Sequence, residues 1–276
     1  MSAIPPPVAG TLRALTDALR ELLAASLVGV YLHGSLTQRA FDPASSDVDC
    51  VVVVRRDLTD ARFRKLRTWL ARAGRSDPWM PRVQMQVLVR HRLLRPDTRG
   101  ALYQFGVLKR SGSDGNPLIW LNVLASGITL AGPDPKTFLP PITKDLVSAA
   151  LVREVGYLRR EFADSASPWR GQPFYRIYAV LTLGRILYTH RKGGVVSKPR
   201  AARWALRALP PGRRSLVRDA LAGARGIPTT LAVARITSFV RFVHGQLDRA
   251  RGRAGRGRAR GNAGFSGAKR TGTQVP

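Results

Sequence analysis

The run Val28-Gly29-Val30-Tyr31-Leu32-His33-Gly34-Ser35 is followed, after eleven residues, by Asp47-Val48-Asp49-Cys50-Val51. Leu27 to Leu32 is a short apolar stretch with two Val and a Tyr, which reads as a strand ending at the polar, glycine-bearing break His33-Gly34-Ser35. Val48 to Val54 reads as a second strand with Asp49 the only charge inside it. Residues two apart on a strand point to one face, so Asp47 and Asp49 share a face while Val48 and Cys50 take the other. Two carboxylates among valines are costly to ionise unless a divalent cation shares them. Mg²⁺ held by Asp47 and Asp49 together with substrate phosphates meets that need. Gly34 allows the backbone to approach a phosphate closely, and Ser35, read as the start of a short helix, adds hydroxyl and amide donors.

Outward from this stretch the pattern is mixed α/β. Thr11 to Ser26 carries Leu12, Leu15, Leu19, Leu22 and Leu23 at helical spacing, with Thr11 as the expected N-cap. Thr59 to Ala73 reads as a helix closed by Gly74, and Arg82 to Val89 alternates as a third strand. After about residue 140 no strand pattern recurs. Asp145 to Ala163, Phe174 to Arg191, Lys198 to Leu209 and Thr229 to about Ala250 are helical, punctuated by Pro140-Pro141, Pro168, Pro173 and Pro210-Pro211. The expected organisation is an α/β domain over residues 1–140, with a mixed sheet and flanking helices. An all-α domain over 141–251 follows, then a disordered basic Gly/Arg tail over 252–276.

Composition bounds the function. The chain has 276 residues, 46 Lys plus Arg against 17 Asp plus Glu, and a net charge of +29. Only seven of the basic residues are Lys, a skew that high-GC coding explains, whereas the excess of base over acid is not explained by it. Eight basic residues and no acid lie from Arg249 onward, leaving about +21 on the remainder. An anionic partner is allowed, including nucleic acid, and a cationic one is disfavoured by the field. No apolar run reaches the roughly 20 residues of a membrane span, and Met1 to Ser26 lacks the pattern of an export signal, so a cytoplasmic protein is expected. The single Cys50 excludes an internal disulfide. His33, His91, His190 and His244 have no metal-ligand spacing.

A Gly-Ser turn followed by Asp-x-Asp resembles the signature of the nucleotidyltransferase superfamily. The likeness extends to aminoglycoside O-nucleotidyltransferases of the streptomycin and spectinomycin adenylyltransferase type. It is carried by Ser46 to Asp49, Gln104-Phe105-Gly106, Leu181-Thr182-Leu183-Gly184-Arg185-Ile186, Gly193 to Lys198, Trp204-Ala205 and Leu209-Pro210. The resemblance implies transfer of AMP from ATP to a hydroxyl of a small acceptor. Asp47 and Asp49 would hold Mg²⁺ on the triphosphate, and Gly34, Ser35 and Ser46 would cradle phosphate oxygens. Lys198 would reach the phosphates from the helical domain, and Trp169 matches a substrate-binding tryptophan.

The sequence departs from the family in two places. The third strand should carry a Glu as general base, but the position falls on Gln84, with Gln86 on the same face and no acid between Asp77 and Asp97. An amide accepts no proton at neutral pH, so a contribution of about 10²–10⁴ to the rate is expected to be missing. The acids before the Leu-Thr-Leu stretch are replaced by Phe174-Tyr175-Arg176. Two other readings therefore stand beside the enzyme: a catalytically weakened nucleotide-binding relative, and a nucleotidyltransferase acting on nucleic acid.

Overall fold

The computed structural model describes residues 4–96, 100–110 and 115–263. Six strands form one mixed sheet: β1 (Leu27–His33), β2 (Val48–Val54), β3 (Val83–Val89), β4 (Ala101–Gln104), β5 (Val107–Lys109) and β6 (Ile128–Ala131), in the order β5-β4-β3-β2-β1-β6. β2 and β3 run parallel and the other neighbours antiparallel. The central strand β2 is covered on both faces. Val48, Cys50, Val52 and Val54 pack with Leu12, Leu15 and Leu19 of α1 (Pro6–Leu23) and with Leu66 and Leu70 of α2 (Asp60–Ser76). Val51 and Val53 pack against Trp120 and Val123 of α3 (Pro117–Ser126). A strand buried on both sides reads as a continuous Val run, as β2 does.

The second half is helical, with α4 (Lys144–Ala163), α5 (Pro168–Gly171), α6 (Pro173–Lys192), α7 (Lys198–Ala208), α8 (Pro211–Gly223) and α9 (Val233–Ala263). The middle of α6 buries Ala179, Val180, Leu181, Leu183, Ile186 and Leu187 around its circumference, because α4, α7, α8 and α9 all pack on it. It ends at Gly193, whose φ of 74° provides a left-handed cap.

The architecture is the expected α/β unit followed by helices, with local corrections. Thr11 does not cap α1. The helix starts at Pro6, where a missing N–H costs nothing, and the buried Thr11 hydroxyl donates to Asp77 Oδ2 at 2.6 Å. Thr59 caps α2 as its Oγ1 accepts from Arg62 N, but the helix passes through Gly74 to Ser76. No helix follows Gly34: residues 34–40 form hydrogen-bonded turns, Gln38 N to Gly34 O at 3.1 Å and Ala40 N to Ser35 O at 3.0 Å. Pro211 opens a helix instead of merely separating two. Helix α9 continues to Ala263, past the expected boundary at 252, and 264–276 lie outside the described residues. Among the described residues no helix is long and apolar enough to cross a membrane.

Candidate functional site

Strand register assembles the site. His33 pairs with Asp49 between β1 and β2, and Asp49 pairs with Gln84 between β2 and β3. Paired residues share a face, so His33, Asp49 and Gln84 stand side by side at one end of the sheet. Asp47 precedes β2 by one residue and takes the same side. Both carboxylates are half-buried.

The turn after β1 is built to lie against them. Gly34 has φ 79°, and a Cβ there would collide with the Asp49 carboxylate, so only glycine fits. Behind it, α3 holds the turn in place. Gln38 Nε2 donates to Asn122 Oδ1, Thr37 Oγ1 meets Ser126 Oγ at 3.3 Å, and Thr37 Oγ1 donates to Gly34 O at 3.2 Å. On the other flank, the Ser46 hydroxyl accepts from Asp42 N at 2.9 Å, closing the loop that delivers Asp47. Arg82 braces this loop by donating to Pro43 O at 2.7 Å and Ser46 O at 2.5 Å, while its guanidinium lies over Trp79.

Electrostatics mark the pair as unusual. Burial, and then the Asp49 charge, push Asp47 above the ordinary carboxylate range. Arg82, a hydrogen bond from Gln84 and Lys198 oppose that shift. Gln84 Nε2 donates to Asp47 Oδ2 at 2.7 Å. The residue at the expected base position is thus an amide bound to one of the two acids, which it orients without being able to take a proton.

Lys198, the first residue of α7, enters from the helical half. Burial, and then Arg185, bring its pKa down to about 7, against the pull of Asp49 and Asp47. Its ammonium sits 3.7 Å above the Tyr178 ring. Arg185 belongs to the same assembly, because its charge reaches His33, Tyr178 and Lys198. It was quoted above only within a motif. Its placement one α6 turn beyond the Leu-Thr-Leu stretch was the available signal. His33 is held below its ordinary pKa by burial.

The structure therefore brings Gly34, Asp47, Asp49, Gln84 and Lys198 together, flanked by Ser35 and Ser46. Trp169 sits elsewhere, in an aromatic cluster: stacked on Tyr175 at 5.0 Å and edge-on to Tyr178 at 5.7 Å. Gln104-Phe105-Gly106 forms the β4–β5 hairpin turn, with Phe105 exposed.

The donor set suits a divalent cation. Asp47 is pushed up partly by its like-charged neighbour, a repulsion that a cation between them relieves. Among the described residues no group of three or more His, Cys, Asp or Glu could complete a protein-only cage. Two carboxylates with the remaining ligands from water and phosphate is the pattern of Mg²⁺ on a nucleotide.

Comparison with known proteins points the same way. Residues 137–246 match the family model of the aminoglycoside adenylyltransferase C-terminal domain. The chain is 29% identical over 225 residues to spectinomycin 9-adenylyltransferase of Staphylococcus aureus, covering 75% of this chain and 82% of the relative, with the same values for strains N315 and Mu50. Its fold resembles the crystal structure of spectinomycin adenyltransferase AAD(9) from Enterococcus faecialis with ATP and spectinomycin. The TM-score is 0.67 at 17% identity, over 87% of this chain and 99% of that one.

Proposed function

We propose that this chain, an aminoglycoside adenylyltransferase-like nucleotidyltransferase by sequence likeness and fold, transfers AMP from Mg-ATP to a hydroxyl of a small acceptor. The observation that carries the reading is the pairing of Asp47 and Asp49 against the Gly34–Ser35 turn, with Lys198 facing them from the helical half. In this reading the turn amides and the hydroxyls of Ser35 and Ser46 hold phosphate oxygens, and Lys198 neutralises the departing pyrophosphate. Mg²⁺, when bound by Asp47 and Asp49, supplies charge neutralisation at the triphosphate. The acceptor hydroxyl attacks the α-phosphorus in line. One P–O bond forms, the bond to the β-phosphate oxygen breaks, and pyrophosphate leaves with the electron pair. With Gln84 in place of an acid, the hydroxyl proton passes to water or to a phosphate oxygen. Rate then rests on positioning.

The direct test mixes the full chain with Mg-ATP and spectinomycin and follows pyrophosphate and adenylylated product together. Product formation that needs Asp47 and Asp49 supports the reading; neither product nor ATP binding would sink it.

One observation favours a second reading, that of a slow, nucleotide-binding relative. Gln84 Nε2 is committed to Asp47, so the site keeps its metal carboxylates and has no proton acceptor at the third strand. Tight ATP binding without product under the same conditions distinguishes it.

A further inference from the structure

Glu154, Tyr157 and Glu161 fall at i, i+3 and i+7 on α4, which places them in one stripe along the helix. At the inner end of the stripe Glu154 Oε1 accepts from Asn116 Nδ2 at 2.9 Å, where the helical half meets the sheet half. At the outer end Glu161 Oε2 accepts from Ser167 Oγ at 2.6 Å, and the Tyr157 hydroxyl hydrogen-bonds to Glu161.

Rings stand opposite. Trp169 meets Tyr157 edge-on at 5.5 Å and Tyr178 at 5.7 Å, and Phe174 lies 6.4 Å from Tyr178. Tyr178 lies beneath the Lys198 ammonium, so the aromatic wall runs continuously outward from the nucleotide end of the cleft. Much of it is not consumed by packing: Phe174 is 63% exposed and Tyr157 40%.

This wall answers the missing acids. The segment before Leu181 offers Phe174-Tyr175-Arg176, but α4 delivers two carboxylates to the same side of the molecule. Exposed ring faces bordered by carboxylates attract ammonium groups through charge and the ring quadrupole, and they cover the apolar face of a saturated ring. The cations around the wall set a ceiling on ligand charge. Arg176 sits in it, bonded to Arg170 O at 2.7 Å, and Arg185 and Lys198 close its inner end.

We propose that Glu154, Tyr157 and Glu161, facing Trp169 and Phe174, form the acceptor subsite. Its ligand is a compact hydroxylated ring compound bearing one or two ammonium groups, not a polycation. This assignment rests on the adenylyl-transfer reading and names the acceptor class for it.

The test is calorimetric titration of the full chain, loaded with Mg²⁺ and a non-hydrolysable ATP analogue, with spectinomycin and separately with the more highly charged kanamycin. Spectinomycin should bind more tightly than kanamycin. Glu161→Gln and Tyr157→Leu should each weaken spectinomycin by about tenfold or more. Tyr157→Phe should retain most of the affinity, and the ATP analogue should bind all variants alike. In turnover, Glu161→Gln should raise the acceptor KM and leave kcat near the parent value. Unchanged spectinomycin affinity in both weakening variants, tighter kanamycin binding, or no acceptor binding to a chain that holds the ATP analogue would each overturn the assignment. A chain that binds spectinomycin in a Glu161-dependent way but never the ATP analogue would instead overturn adenylyl transfer and leave the subsite standing.

Discussion

At the scale of single residues, Gln84 and Lys198 carry the chemical character of the cleft. Gln84 donates to Asp47 where related enzymes are expected to carry an acid. Gln84→Glu replaces that donor with a third carboxylate, which raises Asp47 further in the absence of metal and supplies a proton acceptor in its presence. If this is an enzyme fold lacking its base, the change raises kcat by about 10²-fold while Mg-ATP affinity holds, read by pyrophosphate release. An unchanged or lower kcat would mean that the proton leaves by a route the strand does not govern. Lys198 has its pKa lowered to about 7, so above that pH the free protein holds it largely neutral. A triphosphate favours the charged form. Nucleotide binding between about pH 7 and the ordinary lysine range should therefore take up a proton, and affinity should fall as pH rises through that window. Titration calorimetry at pH 8 in buffers of different ionisation enthalpy reads the uptake directly, and Lys198→Met should abolish it.

At the scale of elements, α3 is the piece that links the others. Its Asn122 and Ser126 hold the turn after β1, and its N-cap Asn116 reaches Glu154 on α4. Asn122→Ala should weaken Mg-ATP binding several-fold through the loosened Gly34 turn, with a stability loss of only about 1 kcal/mol, measured by calorimetry and thermal unfolding side by side. Equal nucleotide affinity would show that the turn holds itself. None of this was legible beforehand. β1, β2, β3 and α2 were readable because each carries seven or more residues of clear period. β4, β5 and β6 have four, three and four residues, too few for an alternation to register. α3, with Leu118, Ile119, Trp120 and Leu121 in succession, shows no amphipathic face because it is wedged between the sheet and the helical half. The metal carboxylates were legible for the opposite reason. Asp49 interrupts a run of valines, and only a site explains a charge there. Glu154 and Glu161 were not, since two acids seven apart on a helix look like an ordinary solvated face until Trp169 and Tyr178 are seen opposite.

At the scale of the whole molecule, the two halves meet around a cleft whose sheet side supplies carboxylates and whose helical side supplies cations. Asp47 and Asp49 are of little use to a nucleotide without Lys198 and Arg185, and the excess of positive charge suits a triphosphate better than a free polycation. The account stands or falls on whether those groups act together on one ligand. The most direct measurement is the affinity of the full chain for a non-hydrolysable ATP analogue, with Mg²⁺ and after its removal by chelation, in the parent, Asp49→Asn and Lys198→Met. Binding that requires Mg²⁺ and falls by about tenfold or more in each variant is the predicted result. Affinity indifferent to the metal and to both substitutions would contradict it.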